Sequence, residues 1–422
     1  MRVLLVIPQI SLTSPPLGIG YIAARLKASG HMADILNPVE MPDDKFVSFI
    51  CDGGYEVVGF TSMTFLMPEI YRLARIIKKE SPSCTTICGG VHTSALPRLT
   101  LEECPHLDFT IAGEGEEAVL NFLQALEKGF NLESVNGLCF RKGNQIVSTT
   151  PQRYQDLDAL PFPIREMTGG FSQEDIPLRI NVVRGCPYRC ISCSYLKVSG
   201  STVRRRTVKS VVQELKYLSQ RGYGDQVSFS DCMFTQDGQW LKDFCEALKQ
   251  AKLEGQLEWE VTSTPNLLNE EKIRLLAKCG CKRVNFWTAN SGDDAILRRT
   301  NKAFTVSQLR EVCEQIKKYG METFAAFLFG YPGEDANSCK KTLEFAKELN
   351  LDSYWFGIPK PFPGSELYQM ALDMDEEVTG KWKDYFMNPE EPPNLPTIGC
   401  SLDPEELFNF MSTARRQLPI RF

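Results

Sequence analysis

Residues 184–195 read Arg184-Gly-Cys-Pro-Tyr-Arg-Cys-Ile-Ser-Cys-Ser-Tyr195. This stretch places three cysteines, Cys186, Cys190 and Cys193, within eight residues, directly after a largely apolar run, residues 180–183, that is typical of a strand. Three thiolates on one tight loop can bind three irons of a four-iron cluster and leave the fourth iron without a protein ligand. A structural zinc site needs four protein ligands, and the chain has only three histidines. The spacing therefore favours an iron–sulfur cluster over zinc and over cysteines with a purely structural role.

The Cys-x3-Cys-x2-Cys spacing after Arg184, with Pro187 inside it, resembles the radical S-adenosylmethionine superfamily. In that superfamily the open iron binds the amino and carboxylate groups of S-adenosylmethionine, and one electron cleaves the sulfonium to give a 5′-deoxyadenosyl radical. Ser192 departs from the family pattern, which has an aromatic residue before the third cysteine that packs near the adenine. Tyr188 and Tyr195 are the nearby aromatic residues that can take over this packing. The resemblance implies a 4Fe-4S cluster and S-adenosylmethionine as cofactors.

The composition is that of a globular chain with more than one domain. Its 422 residues are 43% hydrophobic and 24% charged, which allows two or three domains with sizeable cores. The net charge of −6 argues against a nucleic-acid partner held by phosphate contacts. No apolar run approaches the roughly 20 residues of a membrane span, and residues 1–8 are typical of a first strand rather than a signal peptide. The one basic cluster, residues 204–206, is interpreted as a solvated turn or as a carboxylate-binding group.

The cysteine usage argues for a reducing compartment. Fifteen cysteines, an odd number, are scattered along the chain, unlike the disulfide framework of a small secreted domain. Together with an oxygen-sensitive cluster they predict a cytoplasmic protein. Most of those outside the cysteine loop, such as Cys245 and Cys313 in helical patterns, are expected to be small core residues.

From residue 1 to residue 129, short apolar runs alternate with helical patterns, which predicts a parallel, doubly wound α/β sheet. The predicted strands are residues 3–7, 33–36, 57–61, 85–88 and 109–112. The predicted helices are residues 18–27, 68–79 and 116–128. Ligands of such sheets bind outside the carboxyl ends of the strands. The informative residues are therefore those that directly follow each strand.

Glycines, hydroxyl side chains and acidic residues follow four of these strands. The segments are Pro15-Pro16-Leu17-Gly18, Thr61-Ser62-Met63, Gly89-Gly90-Val91-His92 and Gly113-Glu114-Gly115-Glu116. Glycines allow a bulky planar ligand to approach the backbone, and hydroxyls suit a nucleotide tail. The set resembles the Rossmann-like cobalamin-binding domain that precedes the radical domain in one large branch of the superfamily, here over residues 1–135. The resemblance implies cobalamin as a third cofactor and the following contacts to it: Pro16, Leu17, Gly18, Thr61, Ser62, Gly89, Gly90, Val91, His92, Glu114, Gly115 and Glu116.

No sequence feature identifies a histidine that binds the cobalt. The chain lacks the Asp-x-His-x-x-Gly pattern of some B12 enzymes, and of its three histidines only His92 follows a strand. The glycine neighbours of His92 fit close backbone approach better than ligation. A cobalt without a histidine ligand favours methyl-cation transfer, as the resemblance implies. An empty flavodoxin-like domain used only for packing is the alternative, and the absence of Gly-x-Gly-x-x-Gly argues against a dinucleotide.

Residues 136–170 are predicted to be a hairpin, at 138–141 and 145–148, followed by an extended linker rich in Pro and Asp. Over residues 171–365, strands and helices alternate in six βα units, with strands at 178–183, 226–229, 257–261, 283–287, 323–329 and 353–358. Six units are too few for a closed eight-stranded barrel and match the open, partial (β/α)6 barrel that the resemblance implies. Residues 366–422 form a tail with a helix at 404–415, and its aromatic residues are expected to pack in the core or to shape the pocket.

The chemistry of such barrels lies at the carboxyl ends of the strands, where the cysteine loop follows strand one. Asp231, after strand two, resembles the family residue that pairs with the methionyl ammonium, and a helix N-cap is the alternative. Asn290, after strand four, stands where relatives more often have a glutamate. Pro-Gly loops follow strands five and six, and simple turns are their alternative role. The resemblance implies the following contacts to S-adenosylmethionine: Tyr188, Ser192, Tyr195, Asp231, Asn290, Ser291, Gly330, Pro332 and Pro361.

The leading interpretation is a cobalamin-dependent radical enzyme that methylates an unactivated carbon, or phosphinate phosphorus, of a small molecule or peptide. The resemblance also implies an external electron donor of the flavodoxin or ferredoxin type. A cyclase or rearrangement enzyme with the same cofactors is the second hypothesis, and a non-catalytic iron–sulfur or corrinoid carrier is the third. The open iron position argues against the carrier, because an electron carrier gains from a fourth cysteine. No residue is identified as a catalytic acid or base, and no motif identifies the substrate.

Overall fold

The structure, a computed structural model, describes residues 1–8, 16–168, 178–223, 225–386 and 391–420. These residues form two compact units. The first comprises Met1–Ile176 and Ser194–Gly200, and the second comprises Pro177–Cys193 and Ser201–Phe422. In the described ranges, no helix is long and apolar enough to cross a membrane.

A seven-stranded sheet is the centre of the first unit. Its strands are β1 (Arg2–Val6), β2 (Met32–Leu36), β3 (Val57–Ser62), β4 (Thr85–Gly90), β5 (Phe109–Ile111), β6 (Leu138–Lys142) and β7 (Gln145–Ser148). They lie in the order β2-β1-β3-β4-β5-β6-β7. The first five pair in parallel, which confirms the doubly wound sheet. The predicted hairpin, β6 and β7, extends this sheet, because β6 pairs antiparallel with β5 instead of standing apart.

Seven helices accompany this sheet in the described part of the first unit. They are α1 (Leu17–Ala28), α2 (Asp43–Gly53), α3 (Met67–Glu80), α4 (Val91–Ala95), α5 (Pro97–Glu103), α6 (Gly115–Lys128) and α7 (Tyr195–Ser199). Three of them, α1, α3 and α6, confirm the predicted helices. The helix α2 was not predicted, because it buries only Phe46 and Ile50 and so carries a weak apolar pattern. The short α7 packs against α4.

An open sheet of six parallel strands is the centre of the second unit. Its strands are β8 (Leu178–Ile180), β11 (Gln226–Phe229), β12 (Glu258–Thr262), β13 (Cys281–Asn290), β14 (Glu322–Leu328) and β15 (Ser353–Gly357), in the order β15-β14-β13-β12-β11-β8. This arrangement confirms the open (β/α)6 partial barrel. The predicted first strand is shorter than expected, since residues 183–184 form a separate ribbon, β9 (Val183–Arg184) with β10 (Arg204–Arg205).

Eight α-helices of six to fourteen residues surround this sheet in its described part. They are α8 (Val208–Gln220), α9 (Gly238–Gln250), α10 (Glu270–Lys278), α11 (Asp294–Arg299), α12 (Val306–Lys318), α13 (Ala336–Leu349), α14 (Glu366–Asp373) and α15 (Pro404–Gln417). The last of these confirms the helix predicted in the tail.

The two faces of the second sheet differ because side chains alternate along a strand. One face packs into the core with residues such as Val227, Val261, Phe286, Ala325 and Phe356. The other face carries a mixed polar and aromatic set, and its members include Ser228, Thr262, Asn285, Trp287, Phe324 and Trp355. The ring of Trp287 lies 4.6 Å from that of Phe324, and Trp287 is 54% exposed. This second face is therefore not sealed by core packing.

The tail packs beside β15 and holds one strand-end loop. Tyr354 donates its backbone N–H to the carbonyl of Pro419 at 2.9 Å. A Cβ at Gly330 would lie 2.5 Å from a methyl of Leu407 on α15. Trp382 and Tyr385 are core residues, 3% and 1% exposed, as core packing predicts. Phe386 is 58% exposed and lines a cavity of about 320 Å³.

The structure bears on the expectations for Cys245, Cys313 and the basic cluster. Cys245 on α9 is a buried core residue, as expected, and it also forms a disulfide with Cys279 after α10, with the two Cα atoms 5.5 Å apart. Cys313 is a buried free thiol, as expected. The basic cluster is not a solvated turn, because Arg204 and Arg206 are 7% and 4% exposed and Arg206 pairs at 2.5 Å with the buried Glu214. Its neighbour Arg205 stacks over the ring of Trp240.

Candidate cofactor site

The cysteine loop starts directly after β9 and is shaped by a glycine. Gly185 has φ of +87°, and a Cβ there would lie 2.0 Å from the carbonyl oxygen of Thr202. Between the cysteines, Ile191 is 2% exposed and its carbonyl accepts the N–H of Leu367 at 2.8 Å. The loop is therefore fixed at its start and its middle.

The thiols of this loop match the donor set of a three-cysteine cluster. Cys186 and Cys190 are partly exposed, and Cys193 is exposed. Burial raises the pKa of Cys186, and the negative charges of the Cys190 and Cys193 thiolates raise it further. Across the described ranges, no three Cys, His, Asp or Glu side chains converge closely enough to hold a metal ion. Three thiols on one loop fit a cluster by their chemistry, although in the described residues the thiols do not converge on one centre.

Cys232 is a fourth thiol near this loop that sequence reasoning missed. Burial raises its pKa to about 12, and the charges of Cys186 and Cys193 contribute to that rise. It directly follows Asp231, so its place at the end of β11 is the only sequence signal that could have identified it. Because Cys232 interacts electrostatically with two proposed ligands but lies outside the cysteine loop, its substitution is a suitable control for substitutions of the cluster ligands.

Asp231 anchors the start of the cysteine loop. Its carboxylate accepts the backbone N–H groups of Val182 at 2.5 Å and Val183 at 3.1 Å, and the side-chain amide of Asn181. Burial raises its pKa to about 6, although these hydrogen bonds oppose the rise. The alternative role as a helix N-cap is wrong, because its oxygens accept from residues 181–183, which join β8 to β9, and Asp237 caps the following helix, α9. These bonds also explain why the first strand ends at Ile180.

Three strand-end loops meet at a buried tyrosine. The phenol of Tyr331, after β14, lies 3.1 Å from the hydroxyl of Ser192 and accepts a short hydrogen bond from the side-chain amide of Asn290. Tyr331 is fully buried. Ser192 and Asn290 are the two residues that depart from the family pattern, so one side chain contacts both departures. Sequence reasoning missed Tyr331, because it lies between two predicted glycine and proline contacts.

The remaining predicted contacts on these loops face protein neighbours. Ser291 is fully buried and bonds to the hydroxyl of Thr342 on α13 at 3.1 Å, so it points away from the sheet end. Pro332 and Pro361 are buried as well. The phenol of Tyr188 accepts a hydrogen bond from the amide of Asn266 at 2.6 Å. The structure therefore does not bring these predicted residues together on one open surface.

Glu334 holds the loop that carries Tyr331. One carboxylate oxygen accepts the backbone N–H groups of Gly330 at 2.6 Å and Tyr331 at 2.8 Å, and the other oxygen is buried without a hydrogen-bond partner among the described residues. Burial raises the pKa of Glu334 to about 7. Its backbone carbonyl accepts the N–H of Ser401 in the tail at 3.0 Å. The loop conformation thus depends on one buried carboxyl and on the tail.

The glycines that follow strands of the first unit differ in how closely other atoms approach them. Gly90 has φ of +110°, and a Cβ there would lie 2.6 Å from the backbone N and O of Ser62, so this glycine is needed for packing against β3. A Cβ at Gly18 would meet nothing within 4 Å, and one at Gly89 would meet only the carbonyl of Ile111 at 3.7 Å. Among the described residues, the first turn of α1 and the end of β4 therefore border space that a bulky flat ligand could fill.

The polar residues at this edge bond mainly to the protein. Ser62 is buried and its hydroxyl lies 2.7 Å from that of Thr93, while Thr61 is partly exposed. The carboxylate of Glu114 accepts the backbone N–H of Tyr154 in the linker at 2.8 Å. Glu116 is 3% exposed. Pro16, Leu17, Gly89, Val91 and Gly115 are partly exposed and Gly18 is exposed, so the accessible part of the predicted set is mostly apolar.

His92 is placed inside the first unit rather than at its surface. It is 1% exposed, and its Nδ1 lies 3.3 Å from the hydroxyl of Thr64. Burial lowers its pKa to about 4, so the imidazole is neutral at physiological pH. This environment fits packing inside the first unit, whereas the sequence analysis placed His92 among the contacts to cobalamin, with close backbone approach rather than ligation of the cobalt.

Two family models match the chain, one in each half. The model of the B12 binding domain matches residues 4–123, and the model of the Radical SAM superfamily matches residues 180–346. An uncharacterized methyltransferase of Pyrococcus horikoshii is 28% identical over 399 residues, which cover 91% of this chain and 86% of that protein. The anaerobic magnesium-protoporphyrin IX monomethyl ester cyclase of Rubrivivax gelatinosus is 28% identical over 424 residues, which cover 96% of this chain and 76% of the cyclase.

Solved structures agree on the fold. The radical S-adenosylmethionine methyltransferase TsrM from Kitasatospora setae, solved with tryptophan substrate and an S-adenosylmethionine analogue, aligns with a TM-score of 0.75 at 18% identity. The alignment covers 89% of this chain and 77% of that one. Both halves are thus accounted for, and the three-cysteine loop lies where the second match begins. The chain belongs to the radical S-adenosylmethionine enzymes that carry a cobalamin-binding domain, and its cofactors are a 4Fe-4S cluster, S-adenosylmethionine and cobalamin.

Proposed function

We propose that this protein is a methyltransferase that modifies an unactivated carbon, or phosphinate phosphorus, of a small molecule or peptide. The observation that carries the proposal is the loop of Cys186, Cys190 and Cys193, which offers three thiols at a strand end and no fourth ligand from its own sequence. Its occurrence beside a B12 binding domain, and the methyltransferase name of a relative that covers 91% of the chain, favour methyl transfer.

When bound, the cofactors supply a hydrogen-abstracting adenosyl radical and a transferable methyl group. The chain's own residues hold and orient them. The three thiols bind the cluster, and Asp231 fixes the backbone at the start of their loop through two N–H groups. Glu334 fixes the loop after β14 in the same way. Rigid loops of this kind keep reacting groups aligned, which is the main contribution that a protein makes to cofactor chemistry.

The substrate is proposed to contact the sheet face that the core leaves open. Trp287 and Trp355 lie on this face with their ring centroids 6.4 Å apart, and Trp287 is half exposed. Aromatic side chains supply large apolar contact area at low entropic cost.

A cyclase or ring-rearrangement enzyme is the second candidate. The match to the Rubrivivax gelatinosus cyclase is as high in identity as the match to the methyltransferase and covers 96% of the chain. Both reactions begin with the same radical and use the same thiol loop. They differ in whether S-adenosylmethionine also donates its methyl group, which produces S-adenosylhomocysteine.

The test is an anaerobic reconstitution with iron, sulfide and hydroxocobalamin. Titanium citrate replaces the proposed flavodoxin- or ferredoxin-type electron donor, and S-adenosylmethionine is added. Bound iron, retained cobalamin, 5′-deoxyadenosine and S-adenosylhomocysteine are then measured. The Cys190→Ala variant tests a proposed ligand, and Cys232→Ala is its matched control, since Cys232 is close to the same loop without belonging to it.

We expect wild type and Cys232→Ala to bind about four irons per chain and to form both products. Cys190→Ala is expected to lose most iron and all 5′-deoxyadenosine. Formation of 5′-deoxyadenosine without S-adenosylhomocysteine, in a cobalamin-loaded protein, would favour the cyclase. A full cluster with neither product would favour the non-catalytic carrier and overturn the enzyme proposal.

A further inference from the structure

The cavity of about 320 Å³ in the second unit is lined by the end of β15 and by the tail. Its walls include Trp355, Ile358 and Lys360 from β15 and the loop after it, Phe386 from the tail, and Met411 from α15. None of the residues predicted to contact S-adenosylmethionine lines it. Binding sites for small molecules measure roughly 300–1,000 Å³. The cavity is therefore large enough for a small molecule or for one end of a larger one.

Trp355 connects this cavity with the open face of the second sheet. Its ring lies 6.4 Å from that of Trp287 on that face. The indole of Trp355 lies over Gly357, since a Cβ at Gly357 would be 2.2 Å from its Cη2 atom. Residues two apart in a strand share a face, so the ring extends towards the carboxyl end of β15. The cavity thus has a flat aromatic wall that requires a glycine beneath it.

Lys360 places a buried charge in this cavity. It is 6% exposed, and its ammonium donates to the backbone carbonyls of Asp384 at 2.5 Å and Phe386 at 2.9 Å. An ammonium has three N–H donors, so one remains without an acceptor in the described part of the chain. Burial lowers the pKa of Lys360 to about 8, so the side chain is mostly protonated at neutral pH. Neither acceptor carries a charge, and a buried charge is costly without a counter-charge.

The other charged residues that line the cavity are closer to solvent than Lys360. Lys383 and Glu391 are exposed, and Asp384 and Arg415 are partly exposed. Arg415 donates to the backbone carbonyl of Phe356 at 2.8 Å. The most buried charge of the lining is therefore positive, and the acidic side chains lie nearer to the mouth. A ligand that fills the cavity meets an ammonium beside an aromatic ring.

The loop that carries Lys360 also reaches the cysteine loop. It leads from β15 into α14, where Leu367 donates its backbone N–H to the carbonyl of Ile191 at 2.8 Å. Ile191 lies between Cys190 and Cys193 in sequence. A ligand held by Lys360 therefore lies at the same end of the second sheet as the three thiols.

We propose that this cavity binds the substrate, with a carboxylate of the substrate on Lys360 and a flat apolar group against Trp355. One remaining N–H and one positive charge match a single carboxylate better than a doubly charged phosphate. The inference rests on the proposed function and assigns its substrate class, a molecule with a carboxylate next to an aromatic or other flat group. Lys360 binds and orients the substrate and takes no part in proton transfer.

The test measures the binding of three probes to the cluster-reconstituted, cobalamin-loaded protein by equilibrium dialysis at neutral pH. The probes are 2-naphthoate, the uncharged 2-naphthamide of the same shape, and 2-naphthyl phosphate. Lys360→Met removes the buried charge, and Lys383→Met is the matched control, because Lys383 lines the same cavity but is exposed. Gly357→Ala displaces the ring of Trp355 and leaves the charge in place.

We expect 2-naphthoate to bind the wild type at least about tenfold more tightly than 2-naphthamide, because hydrogen bonds to charged groups are the stronger ones. Lys360→Met should weaken 2-naphthoate by about 10- to 100-fold and leave 2-naphthamide nearly unchanged. Lys383→Met should change either affinity by less than about threefold, since exposed charges contribute little. Gly357→Ala should weaken both probes, because its methyl group moves the ring that both contact.

Four outcomes overturn the inference. The first is a wild type that does not bind 2-naphthoate more tightly than 2-naphthamide. The second is an equal loss of both probes in Lys360→Met, which would show that Lys360 only holds the tail. The third is unchanged binding in Gly357→Ala. The fourth is tighter binding of 2-naphthyl phosphate than of 2-naphthoate, which would assign the cavity to a phosphate.

Probe binding requires no turnover, so it can fail independently of the proposed function. A protein that binds 2-naphthoate as expected but forms neither 5′-deoxyadenosine nor S-adenosylhomocysteine would refute the proposed function and leave the carboxylate site in place. A protein that forms both products but fails the probe measurements would refute only the assignment of this cavity.

Discussion

In the first unit, Gly18 at the start of α1 and Gly89 at the end of β4 border open space among the described residues, whereas at strand ends of the second unit Ser192, Asn290 and Tyr331 form hydrogen bonds with one another. The first edge suits a large flat ligand that lies against the backbone. The second suits a small polar ligand that is oriented by fixed side chains. Substitutions that add atoms should therefore lower ligand retention in the first unit. Substitutions that remove polar atoms should lower stability or iron content in the second unit.

The largest expected effect is that of Gly90→Ala. The new methyl group would lie 2.6 Å from the backbone of Ser62 at a residue with φ of +110°, so β4 must shift away from β3. We expect a loss of about 3 kcal/mol or more in the free energy of unfolding of the apoprotein, together with loss of cobalamin retention. Urea unfolding and gel filtration with hydroxocobalamin measure the two quantities.

Gly18→Ala is the control for Gly90→Ala. Its methyl group meets no protein atom within 4 Å and lies in the first turn of α1, so the unfolding free energy should change by less than about 0.5 kcal/mol. Cobalamin retention should nevertheless fall, because the methyl group enters the space assigned to the ligand. Unchanged retention would show that this space does not hold the corrinoid.

In the second unit, Asp231→Ala should have the next largest effect. It leaves the N–H groups of Val182 and Val183 without their acceptor, and both residues are buried. We expect a destabilisation of about 3 kcal/mol and a lower iron content after reconstitution, because the cysteine loop loses its anchor. Asp231→Asn keeps one acceptor oxygen and should lose less of both. Equal iron contents in all three proteins would contradict the anchoring role.

Glu334 gives a prediction about pH. Its pKa of about 7 in the folded protein lies above the ordinary value of 4.5, so the folded state binds more protons than the unfolded state between these pH values. Stability should therefore fall as the pH rises from 4.5 to 7, by about 3 kcal/mol from this carboxyl alone. In Glu334→Gln this contribution is absent. Urea unfolding at several pH values should show the wild type losing stability relative to the variant, and parallel curves would contradict the buried carboxyl.

The contrast between the two edges was only partly predictable from sequence. Cys186, Cys190 and Cys193 are identified by local spacing, and the strands by apolar runs, since both signals lie within a few residues. The contact of Tyr331 with Ser192 spans 139 residues and depends on which strand ends meet, which periodicity does not encode. The disulfide of Cys245 on α9 with Cys279 at the end of α10 was not predicted for the same reason, since it joins residues 34 apart in sequence.

The hydrogen-bond partners of polar side chains were also not predictable from the sequence. Ser291 and Glu114 are short-range members of recognised motifs, and the sequence predicts their position correctly at a strand end. Their hydrogen bonds to Thr342 and Tyr154 are set by packing of elements that are distant in sequence. A motif therefore locates a residue at the right edge without deciding whether it faces a ligand or the protein.

Substitution of Trp287 should have the smallest effect. At this residue the second unit, like the first at Gly18 and Gly89, has an exposed surface. Because Trp287 is 54% exposed and its removal costs little burial, Trp287→Leu should change the unfolding free energy by about 1 kcal/mol or less and leave iron content and S-adenosylmethionine binding unchanged. Of the other four tryptophans, Trp240, Trp259 and Trp382 are buried and Trp355 is partly exposed, so the largest single loss of acrylamide-quenchable fluorescence should come with Trp287. If quenching is the same in the variant, this face is closed in solution, and the substrate must be sought on another surface. If quenching falls as expected, protection of Trp287 from acrylamide becomes a direct screen for the substrate, because it requires neither turnover nor a loaded cobalamin site.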